Sequence, residues 1–137
     1  MTSQPLVLDT NIVLDVFVFA DEAATEVRSR LEAGSLRWLA TTAMRDELER
    51  VLAYAQIIPR LAFYRLSAAD VLHAFDRHSQ RVEPAIKAPV TCKDPDDQKF
   101  IDLAVAHRAT LLSKDRAVLA LKKRLEPLDV HAGPTLP

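Results

Sequence analysis

Short apolar segments alternate with longer amphipathic ones along this chain, and this alternation restricts the fold more than any other feature. The segment PLVLD at residues 5–9 is apolar until its last residue, a pattern typical of a buried strand in a parallel sheet. Strands are predicted at residues 5–9, 36–40, 110–115 and 128–131, with a further short strand near Val82. Helices are predicted at residues 12–19, 21–33, 41–55, 59–66, 68–80, 96–108 and 115–124. This alternation predicts an α/β fold in which helices cover both faces of a parallel sheet.

Residues with strong capping preferences mark several of the predicted helix ends. Gly34 follows the second helix, where a left-handed residue commonly ends a helix. Thr41 and Thr42 are both candidates for the N-cap of the helix at 41–55, and SAAD at 67–70 has the spacing of a capping box. Three prolines within residues 82–95 predict an irregular connection, which is too short and too apolar to separate two domains.

Length and composition predict a single folded domain and exclude several kinds of binding site. The chain has 137 residues, of which 49% are hydrophobic, as expected for one folded domain spanning residues 1–137. Its two glycines, Gly34 and Gly133, exclude a glycine-rich phosphate-binding loop and the dinucleotide-binding fingerprint. The lone cysteine, Cys92, excludes an internal disulfide and a cysteine-based zinc site.

The same features indicate a cytoplasmic protein. A lone cysteine is compatible with a reducing compartment, and the N-terminal segment lacks the basic and apolar regions of a signal peptide. The apolar runs are too short to cross a bilayer, so we expect no membrane association. The net charge of −1 argues against a broadly basic nucleic-acid-binding surface, although an acidic site would mask local basic groups.

Two aspartates end predicted strands. Asp9 is the last residue of PLVLD, and Asp115 is the last residue of TLLSKD at 110–115. If both strands are central and parallel, their carboxyl ends lie at one edge of the sheet, where ligands bind in open α/β sheets. A structural interpretation stays open for each residue, because a charge can simply end a strand and Asp115 can cap the following helix.

Glu47 is a third candidate for this edge. The apolar stripe of the helix at 41–55 consists of Met44, Leu48, Val51 and Leu52. Glu47 lies at the flank of this stripe, whereas Asp46 and Glu49 face the other way. Glu47 therefore either reaches toward the site or is a boundary residue whose carboxylate extends to water.

The segment KDPDDQKF at residues 93–100 contains three aspartates with different predicted roles. Asp94 is a good N-cap and is followed by proline, while Asp96 and Asp97 fall in the first turn, where the helix dipole favours negative charge. Asp97 also begins the apolar face that continues through Phe100, Ile101 and Ala104. Asp102 is predicted to point away from that face into solvent. Asp97 is therefore the aspartate we expect at the site.

Four carboxylates, those of Asp9, Glu47, Asp97 and Asp115, are thus expected to converge. Two carboxylates about 4 Å apart repel each other by roughly 4 kcal/mol at a surface-like dielectric, so the group needs protons, basic partners or a cation. Hard oxygen ligands without a histidine or cysteine pattern favour Mg²⁺ or Mn²⁺ over zinc. A metal ion held in this way is suited to hydrolysis of a phosphodiester.

Several polar neighbours have candidate supporting roles. Thr10 and Asn11 can hydrogen-bond a carboxylate or cap the next helix, and Ser113 lies on the same side of its strand as Asp115. Ser113 can hold a water or a carboxylate, or be a satisfied buried hydroxyl. The candidate contacts to a phosphate backbone are Lys93, Lys114 and Arg116.

The quoted segments resemble the PIN domain family. The match consists of VLDTNIVLD near the start, Glu47, and Asp97 separated by 18 residues from Asp115 in DQKFIDLAVAHRATLLSKD. The DPDDxKF pattern is most similar to the bacterial, VapC-like subgroup of toxin components from type II toxin–antitoxin systems. The resemblance implies a three-layer α/β/α sandwich and a Mg²⁺- or Mn²⁺-dependent ribonuclease acting on single-stranded RNA. It also implies that Asp9, Glu47, Asp97 and Asp115 bind metal, that Asn11 helps to order the site, and that the chain forms homodimers and binds a small antitoxin.

One position departs from the family pattern. Many PIN sequences carry another acid two residues after the last aspartate, where this chain has Ala117. A second metal site would be weakened by this change. Lys114 and Arg116 flank Asp115 instead and add positive charge nearby.

Two other functions compete with a nuclease. Asp9 could be the nucleophile of an aspartyl phosphatase, although the acid expected two residues later is Asn11. Alternatively, the chain could bind RNA or a protein without catalysis. The segment 57–81 carries Ile57, Ile58, Leu61, Phe63 and Tyr64, which supply either a dimer or antitoxin surface or ordinary core.

Overall fold

The computed structural model describes residues 4–137 and contains one five-stranded sheet. The strands are β1 (Gln4–Leu8), β2 (Leu36–Ala40), β3 (Ser79–Arg81), β4 (Thr110–Leu112) and β5 (Ala132–Gly133). Their order is β3-β2-β1-β4-β5, and every neighbouring pair is parallel. β1 is central, and its residues Leu6, Val7 and Leu8 are buried on both faces, as expected for such a strand.

Helices cover both faces of this sheet. They are α1 (Thr10–Phe17), α2 (Thr25–Glu32), α3 (Thr42–Leu52), α4 (Ile58–Phe63), α5 (Ala68–His78), α6 (Gln98–His107), α7 (Arg116–Leu119) and α8 (Lys122–Leu125). The chain adds β2 and β3 on one side of β1 and then crosses to β4 and β5 on the other. With right-handed crossovers this order places α1 to α5 on one face and α6 to α8 on the opposite face. The α/β architecture with a parallel sheet between helical layers is therefore confirmed.

The caps predicted after α2 and before α3 and α5 are confirmed, whereas Asp94 caps a 3-10 turn at Pro95–Asp97 and α6 begins only after Asp97. Gly34 has a φ of 77° after α2, and the side chain of Thr41 accepts a hydrogen bond from the Met44 N–H at the start of α3. Ser67 and Asp70 form a capping box at the start of α5, with hydrogen bonds of 2.8 and 3.1 Å. The sequence chemistry at these positions is local, which is why it predicts the ends well.

The third strand lies earlier than predicted. α5 ends at His78 rather than residue 80, and β3 occupies Ser79–Arg81 instead of a position near Val82. Ser79 has an extended backbone and its hydroxyl donates to the Phe75 carbonyl, which ends the helix. The Val82 N–H still donates to the Ala40 carbonyl at 2.9 Å, so the ladder continues one residue beyond the strand.

The C-terminal part differs most from the prediction. The strand predicted at 128–131 is wrong: residues 126–128 form a 3-10 turn, Asp129 has a φ of 62°, and the chain becomes extended only at β5. β4 also ends at Leu112 rather than residue 115, because Asp115 begins the next helix as its N-cap. The single helix predicted at 115–124 is divided into α7 and α8 by the turn at Leu121, whose ψ is −1°.

The connection between β3 and α6 is fixed by side chains of α6. Asp102 accepts hydrogen bonds from the Ala88 N–H and the Gln98 side-chain amide, both at 2.8 Å. Gln98 in turn accepts from the Cys92 N–H and donates to the Val90 carbonyl. The prediction that Asp102 points freely into solvent is wrong, because the loop folds back and uses its carboxylate to satisfy a backbone donor.

Within residues 4–137, no helix has the length and apolar composition needed to span a bilayer.

Candidate functional site

Three of the predicted acids meet at the carboxyl edge of the sheet. Asp9 follows β1, Asp115 follows β4, and Asp97 closes the turn before α6. One carboxylate oxygen from each lies within 4.8 Å of those of the other two. The backbone holds this edge together, since the Asp9 N–H donates to the Leu112 carbonyl at 3.0 Å. We call Asp9, Asp97 and Asp115 the acidic trio.

Each member of the trio is the N-cap of a helix. Asp9 precedes α1, Asp97 precedes α6 and Asp115 precedes α7. The side chains of Asp9 and Asp97 make no capping hydrogen bond, whereas Asp115 accepts from the Ala117 N–H at 2.8 Å. The positive ends of the helices therefore favour negative charge here, while the Asp9 and Asp97 carboxylates are not used to cap their own helices.

Asp9 is buried and is held by Ser113. Its side chain is 4% exposed, and its Oδ2 accepts a hydrogen bond of 2.6 Å from the Ser113 hydroxyl. Burial raises the pKa of Asp9; the hydrogen bond from Ser113 lowers it, and the charges of Glu47 and Asp115 raise it. The Ser113 oxygen also accepts from the Asp115 N–H at 3.0 Å, so one fully buried hydroxyl connects two members of the trio.

Asp97 is the least compensated carboxylate of the trio. It is 7% exposed, and its Oδ2 is buried without a hydrogen-bond partner among the described residues. Burial, with repulsion from Asp9 and Asp115, raises the pKa of Asp97 to about 7. A buried carboxylate oxygen without a partner is costly, so this atom requires a proton or a cation.

Glu47 lies in the same cleft but outside the trio. Its Oε1 accepts a 2.7 Å hydrogen bond from the Lys99 ammonium group, and its Oε2 accepts a hydrogen bond from the Thr10 hydroxyl. Lys99 also donates to the Asp96 carbonyl, which anchors it beside the turn that carries Asp97. Both oxygens of Glu47 are therefore already engaged by protein groups.

The remaining predicted residues separate into two groups. Asn11 is exposed and lines the cleft, whereas Lys93, Lys114 and Arg116 are not among its lining residues. Lys114 is bound by Asp15 at 2.5 Å and by Asp21 at 3.2 Å, and the hydrogen bond to Asp15 raises its pKa. Lys114 is thus committed to neighbouring acids, an outcome that depends on tertiary contacts and has no local sequence signal.

The cleft beside the trio has a volume of about 250 Å³. Its lining residues are Asp9, Thr10, Asn11, Glu47, Arg50, Val51, Tyr54, Asp96, Asp97 and Asp115. Sequence reasoning missed Arg50 and Tyr54. Arg50 lies on α3, three residues after Glu47, and Tyr54 lies in the turn after α3, seven residues after Glu47. Helical periodicity from Glu47 over the helix predicted at 41–55 would have identified both.

The trio fits a divalent cation with hard oxygen preference. It offers three carboxylates at close range, one buried oxygen without a partner, and no histidine or cysteine ligand. Mg²⁺ and Mn²⁺ are the metals that such a donor set favours. A bound cation would remove both the mutual repulsion and the unpaired oxygen of Asp97.

Comparisons with known proteins agree with this fold. The structure is similar to that of VapBC2 from Rickettsia felis bound to a DNA fragment from its promoter, with a TM-score of 0.62 and 14% sequence identity over 94% of this chain and 98% of that one. At this identity the likeness shows the fold alone. No curated protein sequence gives a significant match. The PIN domain model matches residues 5–117, a range that contains the acidic trio and Glu47. The chain therefore belongs to the PIN domain family.

Proposed function

We propose that this chain, as a single PIN domain over residues 1–137, is a Mg²⁺- or Mn²⁺-dependent endonuclease of single-stranded RNA and the toxin of a type II toxin–antitoxin system. PIN domains are generally nucleases that use divalent metals. The observation that carries the proposal is the acidic trio with the unpaired Asp97 oxygen at the carboxyl edge of the sheet. The structural similarity to VapBC2 supports the placement among toxins of this type.

Asp9, Asp97 and Asp115 would hold the metal ion, which when bound lowers the pKa of water and neutralises charge that develops on a phosphate. Ser113 fixes the orientation of Asp9 and the backbone of Asp115. Glu47 lies in the same cleft, and its negative charge is balanced by the ion pair with Lys99. That ion pair leaves the trio as the strongest uncompensated negative charge in the cleft.

Asp9→Asn tests the proposed activity directly. We expect the purified protein to cleave single-stranded RNA in the presence of Mg²⁺ or Mn²⁺, and the variant to lose at least about a hundredfold in rate, the loss typical of removing one group that stabilises transition-state charge. The measurement is gel analysis of a labelled RNA with and without EDTA. Cleavage that survives in Asp9→Asn after repeated purification would refute a metal-dependent nuclease. Tight RNA binding without cleavage under any metal would instead favour a binding module.

Ser113→Ala tests the support of Asp9. The substitution removes the donor to Asp9 Oδ2 and the acceptor for the Asp115 N–H, and we expect Mn²⁺ affinity to fall by about tenfold, as for other residues that orient metal ligands. Calorimetric titration with Mn²⁺ measures this change. Ser67→Ala is the matched control, since it removes the cap of α5 and costs about 1 kcal/mol of stability without touching the site. Equal Mn²⁺ affinity in the two variants would contradict the role of Ser113.

We also propose a small antitoxin partner and a homodimer. In the segment predicted as a binding surface, Ile57 and Leu61 are part of the core, whereas Ile58, Phe63 and Tyr64 are 54%, 80% and 39% exposed. The exposed residues support an interaction surface at α4. Co-purification with the product of an adjacent reading frame, and light scattering of the chain alone, test the two partners separately.

A further inference from the structure

One wall of the cleft is a single face of α3 and the turn that follows it. Glu47, Arg50, Val51 and Tyr54 all line the cleft, and their spacing of three, four and seven residues is that of one helical face. The trio, Asp96 and Glu47 make the rest of the cleft strongly acidic. Among the described lining residues Arg50 is the one cation and Tyr54 the one aromatic side chain.

Tyr54 is fixed through its backbone while its ring stays accessible. Its N–H donates to the Val51 carbonyl at 3.0 Å, and its own carbonyl accepts from the N–H groups of Ile57 and Ile58 at 2.9 and 3.1 Å. The side chain is nevertheless 47% exposed. Unlike Tyr64, which contacts the rings of Phe19 and Phe63, Tyr54 has no aromatic partner within residues 4–137. A positioned but unstacked ring at the edge of a site is suited to stack on a flat ligand.

Arg50 is exposed and forms no ion pair with any residue of the part of the chain that the structure describes. The nearby cation Lys99 is, by contrast, bound to Glu47. A free guanidinium group beside an acidic cleft can donate to a phosphate in a bidentate arrangement. Arg50 can thus compensate the repulsion that a polyanionic substrate would meet at the trio.

We infer that Arg50 and Tyr54 form a nucleotide-binding subsite, in which Arg50 contacts a backbone phosphate and Tyr54 stacks on an unpaired base next to the cleavage position. This inference rests on the proposed nuclease function and extends it to substrate selection. A base within a duplex is already stacked on its neighbours and paired, so its face is not available to Tyr54. The subsite therefore selects single-stranded over double-stranded RNA through stacking, which tolerates different bases.

The inference is tested by binding rather than cleavage. All variants are made on an Asp97→Asn background and kept in EDTA, and fluorescence anisotropy measures the binding of a labelled single-stranded RNA and of the same strand in a duplex. We expect Tyr54→Ala to weaken single-strand binding by about tenfold, within the range for loss of one stacked base, and Tyr54→Phe to restore it. Duplex binding should be the same in all three proteins. Ile86→Ala is the control for loss of an exposed hydrophobic side chain, because Ile86 is 88% exposed and lies outside both the cleft and the α4 surface.

Arg50→Ala should weaken binding to every RNA sequence. It should also reduce the slope of log affinity against log salt concentration by about one. Arg37→Ala, at an exposed arginine of β2 that does not line the cleft, should leave that slope unchanged.

The inference is wrong if the parent protein fails to bind the strand, or if Tyr54→Ala binds it like the parent. It is equally wrong if Tyr54→Phe does not restore binding, or if Tyr54→Ala changes only the oligomeric state. Binding that depends on Tyr54 in a protein that never cleaves RNA would retain the subsite and refute the nuclease. Cleavage by the wild type with unchanged binding in Tyr54→Ala would refute the subsite and support the nuclease.

Discussion

Asp97→Asn will remove metal-dependent RNA cleavage, whereas the neighbouring Asp96→Asn will retain most of it. Asp97 is buried in the trio with one oxygen that has no hydrogen-bond partner, while Asp96 is exposed and lies outside the trio. Asparagine keeps the size of the side chain but replaces one ligand oxygen with an amide group that cannot carry negative charge. We expect the Asp97 variant to lose at least about a hundredfold in rate and the Asp96 variant to remain within a few-fold of the wild type.

Comparing the two variants controls for the loss of negative charge near the cleft, because each substitution removes one carboxylate and the two positions are adjacent. Initial rates on one labelled RNA, at several Mn²⁺ concentrations, separate weaker metal binding from lost catalysis. Equal losses in the two variants would show that the acidic turn acts through its total charge and that Asp97 is not a specific ligand.

In the metal-free protein, Asp97→Asn will increase the free energy of unfolding at pH 8 and change it little at pH 4. The pKa of Asp97 is about 7 in the folded protein and about 3.9 for an unperturbed aspartate in an unfolded chain. The neutral carboxyl therefore favours the folded state below pH 4, and this contribution is lost as the pH rises through 7. Above pH 7 the folded protein carries an ionised carboxylate beside Asp9 and Asp115, which asparagine avoids.

The size of this effect follows from the difference in pKa. One pKa unit corresponds to about 1.4 kcal/mol, so a difference of about three units sets an upper limit near 4 kcal/mol. Relaxation of the cleft reduces this value, and we expect a gain of about 1 to 3 kcal/mol at pH 8. Urea denaturation in EDTA at pH 4 and pH 8 measures it.

Added Mn²⁺ provides the control. It should stabilise the wild type at pH 8, because it binds the folded state, and should stabilise the variant much less. A variant that is less stable than the wild type at pH 8 without metal would show that Asp97 makes a favourable interaction in the folded protein, contrary to its unpaired oxygen.

The position of the trio could be predicted from the sequence because each of its three residues is next to a recognisable apolar pattern. Asp9 and Asp115 come after apolar segments, and parallel strands bring such residues to one edge. Asp97 continues an apolar helix face, which distinguishes it from Asp96 although the two are adjacent. The trio is therefore specified by short-range patterns together with one general property of parallel sheets.

The partners of the charged side chains did not follow from sequence. Lys99 contacts Glu47 across 52 residues, and Lys114 contacts Asp21 across 93 residues. Such pairs depend on how the helices pack and on the side-chain rotamers that result. The spacing of residues along the sequence predicts neither the packing nor the rotamers. The same reason explains Asp102, whose partner Ala88 lies in a loop with no regular period.

Strand positions at the end of the chain were mispredicted for a related reason. LDVH at residues 128–131 has the composition of a strand, but the left-handed backbone of Asp129 turns the chain there. The β-propensity of such a short segment is weak compared with the constraint of reaching the sheet after α8.

The pairing of β1 with β4 has a consequence for when the site can exist during synthesis. Asp9 emerges at the start of the chain, but its neighbours Asp97 and Asp115 lie before α6 and after β4. The strands between Asp9 and Asp97 in sequence, β2 and β3, belong to the other side of the sheet. A nascent chain that has completed β1, β2 and β3 already contains Asp9 and Glu47 and much of one helical layer, yet holds only one member of the trio. The complete trio therefore appears only after a long-range closure between β1 and β4, a slow class of folding step. If the trio binds metal as proposed, metal binding and hydrolysis begin only after Asp115 has been synthesised and β4 has paired with β1.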